Sequence, residues 1–257
     1  MSDGEPRTMH RLAPRVWLVA AGLACAAAGV AGGWWWANRA AVSTLSAQQR
    51  VAMETVVRDY ILAHPEILPE AIERLRSRSA SEQVNALRGP IENAFPGAVL
   101  GNPQGKVTLV EFTDYACGFC RQSVADVHAL IDAHPDLKVV VRELPILSEA
   151  SGVAARMALA AARQGRYAAF HDAMYAGGRP DPQTIESAAR SAGLDMAKAK
   201  AFAQSAEAEA EVRKNMQLAT QLQVQGTPAW VIGNQVMVGA VGRDQLERAI
   251  SEARNPA

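Results

Sequence analysis

Cysteine and aromatic residues are scarce in this chain, and net charge is absent. Its 257 residues include three cysteines, 5% aromatic side chains, and 26 basic against 26 acidic residues. The charge balance argues against a nucleic-acid partner and against a membrane patch held by electrostatics. A structural zinc site needs roughly four ligands, but beyond Cys117 and Cys120 the only cysteine is Cys25, in a distant apolar stretch. Haem attachment of the c type needs histidine after the second cysteine, and Arg121 stands there. No internal repeat or low-complexity segment is evident. The length allows one domain of moderate size with appendages, and abundant alanine suggests many helices.

What is present centres on one stretch. Val107-Thr108-Leu109-Val110-Glu111-Phe112 is an apolar run rich in β-branched residues, the pattern of a strand. It leads into Cys117-Gly118-Phe119-Cys120, after which Val124, Val127, Leu130 and Ile131 keep helical spacing. A cysteine at a strand-to-helix junction meets unpaired N–H groups and the positive end of the helix dipole. Both favour the thiolate, the form that attacks a disulfide. Two intervening residues let Cys120 reach Cys117, so a mixed disulfide can be resolved within the site. A structural disulfide across this short loop is the competing reading.

These residues resemble the DsbA-like thiol-disulfide oxidoreductases of the thioredoxin superfamily, over roughly Val99 to the C-terminus. Besides the Cys-Gly-Phe-Cys dithiol, Glu111 lies six residues before Cys117, where the family carries a buried acid. Gly226-Thr227-Pro228, ahead of the apolar run Ala229-Trp230-Val231-Ile232, resembles the family's cis-proline loop. The resemblance implies an α/β thioredoxin fold with a helical insertion, an exposed nucleophile Cys117 and a buried resolving Cys120. It also implies that Glu111 relays a proton to or from Cys120, with desolvation raising its pKa. A strand-end carboxylate paired with Lys106 or an arginine is the plainer alternative for Glu111. Thr227 and Pro228 would meet an extended substrate, the backbone of Thr227 being free to pair with it. Gly118 and Phe119 would tune the dithiol. Phe119 adds no donor to the thiolate, unlike the histidine of strongly oxidising relatives.

Residues 1–15 form a polar tail with Arg7, Arg11 and Arg15, which would stay in the cytoplasm. Residues 16–37 carry no charge, and those 22 residues exceed the roughly 20 needed to cross a bilayer. Trp34, Trp35 and Trp36 at the far end suit an interfacial anchor. This predicts a signal anchor, an N-terminal transmembrane helix in the inner membrane with the catalytic domain in the periplasm. Small-x-small sites such as Ala24-Cys25-Ala26 keep a cleaved signal peptide open. Either way the domain is exported to an oxidising compartment. Cys25 is read as a small residue of the span, because Gly22 stands where a lipobox prefers leucine.

Residues 46–89 read as a helical stalk. Met53, Val57, Tyr60 and Ile61, then Leu68, Ala71, Ile72 and Leu75, follow helical spacing, with an interruption between Pro65 and Pro69. Six arginines balance six acids from Arg50 to Arg88, a solvated face. The apolar stripe has to be buried somewhere, either packed back on the domain or in a homo-oligomer. The stretch from Tyr60 to Leu68 also resembles ScsC-like and Com1-like members, and that resemblance implies self-association. Gly89-Pro90 opens a turn-rich boundary rich in Pro and Gly up to Gly105.

The catalytic domain is expected over residues 98–257. A second strand over Leu137 to Leu144 completes a β-α-β unit with parallel pairing. Residues 148–222 hold no convincing strand and several short helices, the insertion. Ala229–Ile232 and Gln235–Gly239 form a hairpin around Gly233-Asn234, and a closing helix begins at Arg243. His128 and His171 read as surface or core histidines. Three functions follow as expectations: a dithiol oxidase, an isomerase or reductase, or a copper-handling chaperone with the thiols as soft ligands. The enzyme readings need no cofactor or metal. Their partners would be exported cysteine-containing proteins and a membrane redox partner that recycles the dithiol.

Overall fold

The computed structural model describes residues 46–255 continuously and, before them, only Gly29 and Gly33. The tail over residues 1–15 and, those two glycines apart, the span over residues 16–37 lie outside them. Among the described residues no helix is long and apolar enough to cross a membrane.

Two compact units divide at Pro69 and Glu70. The first holds helix α1 (Ala47–Ala63). Ser46 caps it reciprocally: its hydroxyl accepts from the Gln49 N–H, and the Gln49 side chain accepts from the Ser46 N–H, satisfying two otherwise orphan donors. No residue of α1 is buried. Val51, Met53, Val56, Val57, Tyr60 and Leu62 all stand more than half exposed.

Helix α2 (Ile67–Glu92) leads into the second unit. The break before it covers residues 64–66, at the near end of the interruption expected between Pro65 and Pro69, and Pro69 lies in the first turn of α2; the turn expected at Gly89-Pro90 is absent. The helix runs through Pro90 because a guanidinium takes up its last carbonyls. Arg142, wholly buried, donates to the carbonyls of Pro90 (2.6 Å), Ile91 (2.8 Å) and Asn93 (2.7 Å). It also donates to Glu211 at 2.9 Å and to Asn215 at 3.2 Å. A proline that forfeits one helical bond is tolerated where the neighbouring orphans are satisfied this well.

Five strands follow: β1 (Val99–Gly101), β2 (Val107–Thr113), β3 (Leu137–Glu143), β4 (Ala229–Ile232) and β5 (Gln235–Val238). Their order in the sheet is β1-β3-β2-β4-β5. Strands β2 and β3 are parallel, and every other pairing is antiparallel. Helix α3 (Gly118–Ala133) makes the crossover between β2 and β3. Short β1 lies in the segment read from sequence as turns. At its end Gly101 has a φ of +70°, and a Cβ there would meet the Leu137 carbonyl at 2.7 Å, so only glycine fits.

Helices α4 (Glu149–Arg163), α5 (Tyr167–Gly177), α6 (Pro182–Ser191), α7 (Met196–Ala203) and α8 (Ala206–Gln221) are inserted between β3 and β4. Side-chain caps at Ser148, Asp181, Asp195 and Ser205 start four of them. Helix α9 (Arg243–Arg254) closes the chain. This is a thioredoxin-like α/β fold with a mixed sheet and a helical insertion.

Alternation along the central strands divides the core in two. Leu109, Val139 and Val141 pack with Tyr115, Cys120, Val127 and Leu130 on one face. Val110, Phe112 and Val140 pack on the other with Val84 and Ile91 of α2 and Leu218 of α8. Phe112 and Ile91 are wholly buried, each stabilising the fold by about 1.5–3 kcal/mol.

Candidate active site

Strand β2 delivers its last residues, Glu111 and Thr113, onto the face that carries α3, and the chain turns at Asp114. That carboxylate is buried and wholly used. Oδ1 accepts from the Ala116 N–H at 2.8 Å, and Oδ2 accepts from the N–H groups of Ile146 and Leu147 at 2.8 and 2.9 Å. The loop before Cys117 is thus tied to the loop after β3.

Cys117 is the N-cap of α3, with extended backbone (φ −81°, ψ 118°). Its sulfur accepts from the Cys120 N–H at 3.4 Å, taking the place a serine or aspartate oxygen fills in an ordinary cap. Its thiol donates to the Thr227 carbonyl at 3.2 Å, across the cis Thr227–Pro228 bond of the loop before β4. The structure therefore departs from expectation twice. Cys117 is only 6% exposed, because that loop and the Ala116 turn cover it. The Thr227 carbonyl, expected free for substrate, is occupied by the Cys117 thiol. Thr227 Oγ1 is buried with no partner among the described residues, and Pro228 is buried beside it.

Both cysteines are free thiols, and Cys120 is wholly buried on the first turn of α3. Burial pushes its thiol up to about 12; the nearby Glu111 adds to the rise, and the Thr113 hydroxyl pulls the other way. Gly118 has open space around it, and Phe119 projects into solvent at 63% exposure.

Glu111 is 2% exposed. It makes no ion pair with Lys106 or an arginine, and its Oε2 is buried without a partner among the described residues. Burial pushes its carboxyl up to about 8, against a smaller downward pull from the Thr113 hydroxyl. Thr113 therefore lies against both the acid and the resolving thiol. Its hydroxyl also shares a hydrogen bond with Tyr175 at 2.5 Å. Glu111, Thr113, Cys117, Cys120, Thr227 and Pro228 thus meet in one place. No group of three or more His, Cys, Asp or Glu residues among the described residues is placed to hold a metal ion.

A second buried acid went unread in the sequence. Glu143, at the end of β3, is 1% exposed; its Oε1 accepts from the hydroxyls of Tyr167 at 2.7 Å and Tyr115 at 3.1 Å. Burial again pushes the carboxyl up to about 8. The signal for it was present: Leu137, Val139 and Val141 define an inward face, and period two puts Glu143 on it. His171 is a buried core histidine and His128 a half-exposed partner of Asp172.

The family described as "DSBA-like thioredoxin domain" matches residues 108–251, and that described as "Copper resistance protein ScsC N-terminal domain" matches residues 49–82. A thioredoxin-like oxidoreductase from Silicibacter pomeroyi is 41% identical, with a TM-score of 0.63, over 66% of this chain and 99% of that one. A linker-deletion variant of Proteus mirabilis ScsC is 27% identical, with a TM-score of 0.68, over 84% of this chain and 99% of its own. A periplasmic thioredoxin-like protein from Salmonella enterica serovar Typhimurium is 31% identical, with a TM-score of 0.58, over 66% and 96%. Two curated Na(+)/H(+) antiporters of the NhaA type, from Salinispora arenicola and Salinispora tropica, are 26% and 25% identical, with only 24% and 28% of their lengths matched. The chain spans about a quarter of the length of these curated relatives. With its fold and dithiol geometry in agreement with the match over residues 108–251, the chain belongs to the DSBA-like thioredoxin domain family.

Proposed function

We propose that this protein is a thiol-disulfide oxidoreductase of exported proteins, working through Cys117 and Cys120. The observation that carries the reading is the placement of the two sulfurs. One is a helix N-cap in contact with the Thr227 carbonyl; the other is sealed beneath it, next to a partnerless carboxyl.

The chemistry follows from that placement. With the pair oxidised, a client thiolate attacks Cys117 Sγ, the Cys117–Cys120 bond breaks, and Cys120 leaves with the electron pair. Burial makes a bare thiolate at Cys120 unfavourable, so it takes a proton, and Glu111 holds one at neutral pH. The client's second thiol, losing its proton, then attacks the mixed disulfide and expels Cys117. Two electrons and two protons pass from the client to the enzyme. In the reducing direction the steps reverse: Cys117 attacks a client disulfide, and Glu111 as carboxylate takes the proton from Cys120 so that it can resolve.

The likeness to a periplasmic relative and the apolar residues 16–37 support a periplasmic domain on an inner-membrane anchor. A membrane redox partner would then recycle the dithiol. Helix α1, which has no buried residue and exposes Val51, Met53, Val56, Val57, Tyr60 and Leu62, supports assembly into a homo-oligomer through the stalk.

Insulin reduction and refolding of scrambled against reduced ribonuclease test the reading together. Turnover lost in Cys117→Ser supports an oxidoreductase, and the preferred ribonuclease substrate separates isomerase from oxidase. Absence of turnover in both assays would sink it. The match of residues 49–82 to a copper-resistance family favours one second reading, a copper-handling chaperone. Tight Cu(I) binding by the dithiol without turnover would establish that instead.

A further inference from the structure

The helical insertion holds a cavity that the dithiol chemistry does not use. Its volume is about 960 Å³, the size that takes a ligand or a short stretch of peptide. Helices α4, α6, α7 and α8 all contribute to its walls. Val153, Met157, Ile185 and Met196 give it an apolar lining. Methionine is unbranched and polarisable, so such a lining adapts to side chains of different shape.

The charged residues around the cavity are not equivalent. Glu186 is paired with Arg190 at 2.6 Å and with Lys200 at 3.4 Å, and Glu209 is paired with Arg213. Glu149 stands in the first turn of α4, where the helix dipole favours an acid. Arg156 has no such account. It is partly buried, it lines the cavity, and it makes no salt bridge or hydrogen bond among the described residues. Its guanidinium leans back along α4, because a Cβ on Gly152 would meet Nη1 at 3.5 Å. An unspent guanidinium beside apolar side chains is matched by a carboxylate, which it can hold by charge-assisted hydrogen bonds.

The cavity begins close to the dithiol loop. Asp114 holds the N–H groups of Ala116, Ile146 and Leu147, and the lining residue Glu149 follows two positions after Leu147. Ile146, Leu147 and Val153 are exposed, so an apolar track leads from the turn before Cys117 toward Arg156. The path from Cys117 to that guanidinium is on the order of 15 Å, or about five residues of extended chain.

We propose that this cavity is a client subsite, taking an extended segment beside the client's reacting cysteine, with apolar side chains against Met157 and Met196 and an acidic side chain on Arg156. This rests on the oxidoreductase reading above. Two observations favour polypeptide as the occupant: the track runs on from the dithiol loop, and the one unspent charge lies within a short extended reach of Cys117.

The test uses two synthetic peptides, each with a single cysteine disulfide-bonded to glutathione and flanked by leucines. One has glutamate five positions from the cysteine on each side; the other has lysine there. The full-length dithiol protein reduces each in a single turnover, and oxidised glutathione, too short to reach the cavity, is the control. The glutamate peptide should react about tenfold faster than the lysine peptide, the share of one charge-assisted hydrogen bond. Arg156→Glu should reverse that preference and leave the glutathione rate unchanged, which a merely structural role for Arg156 would not do. Arg156→Gln should abolish the preference without reversing it, and it carries the test if Arg156→Glu does not fold. Equal rates for the two peptides with wild type, or a preference that survives in either folded variant, overturns the proposal alone. Equal peptide rates together with thermal stabilisation of wild type, but not of Arg156→Gln, by decanoate would give the cavity to a small amphiphilic anion instead. If wild-type protein reduces neither the peptides nor glutathione, the oxidoreductase reading falls and this inference with it.

Discussion

The thiol of Cys117 donates to the carbonyl of Thr227 at 3.2 Å, joining residues 110 positions apart in the chain. That contact places the nucleophile under the loop before β4 and leaves Cys120 no exposure at all. In the proposed oxidoreductase the two sulfurs would have separate tasks, Cys117 exchanging with clients and Cys120 resolving next to the buried acids.

The division predicts a trapping asymmetry. Cys120→Ser should accumulate a mixed disulfide with reduced-and-reoxidised client protein, because resolution needs the Cys120 sulfur. Cys117→Ser should trap nothing, since Cys120 is sealed. Non-reducing gels read both, and equal trapping by the two variants would contradict the assignment.

Stability should depend on pH through Glu111 and Glu143. Each has a folded-state value near 8 against an ordinary 4.5, raised by burial. Between these values the unfolded chain has lost protons that the folded chain still holds. The stabilisation is therefore complete below about pH 4.5 and is lost as pH rises toward 8. Glu111→Gln removes one of the two groups. It should flatten the fall between pH 5 and 8 and leave the protein more stable at pH 7 by something on the order of 1–3 kcal/mol. Urea unfolding across that range decides it; stability that rises with pH there would refute the burial argument.

Arg142 predicts the largest loss. Replacing it by methionine strands Glu211, Asn215 and the carbonyls of Pro90, Ile91 and Asn93. Removing one partner of a buried ion pair costs about 3–5 kcal/mol. Chemical denaturation should show that loss, and α2 near Pro90 should exchange its amide hydrogens faster. A change under about 1 kcal/mol would mean that the helix end is held by its apolar contacts alone.

How far these features could be read from sequence depended on whether they were local. The strand into Cys117, the helix after it, the hairpin around Gly233-Asn234 and the closing helix all carry their period and their punctuation within a dozen residues. Glu111 was readable because its spacing from Cys117 resembles a family pattern. The end of α2 was not, because Pro90 looks like a stop unless the guanidinium of Arg142, 52 residues away, is known to meet its carbonyl. Glu143 was hidden in the same way. Its tyrosine partners come from the turn after β2 and from α5, and only the sheet register sets it beside Thr113. The low exposure of Cys117 was equally non-local, since the covering carbonyl arrives from Thr227.

Phe119 offers a test of tuning. It is exposed, so Phe119→His should leave stability within about 0.5 kcal/mol. The imidazole adds a donor beside the Cys117 sulfur, stabilises the reduced pair and should raise the reduction potential by roughly 30 mV or more. No change in potential would remove Phe119 from the tuning role.

The stalk proposal has a direct readout in solution mass. Val57→Asp with Ile61→Asp places two charges on the α1 apolar stripe. If the stripe joins copies of the chain, the variant should have the monomer mass while wild type does not. Identical masses would remove α1 as an assembly surface.

The central claim is that Cys117 and Cys120 are a reversible redox pair. The measurement that tests it most directly is equilibration of the full-length protein in glutathione buffers of graded poise, with alkylation and mass measurement at each step. The account predicts one two-electron transition, in which both thiols become unreactive together and both return on reduction. Persistence of two alkylatable thiols at every oxidising poise would contradict it.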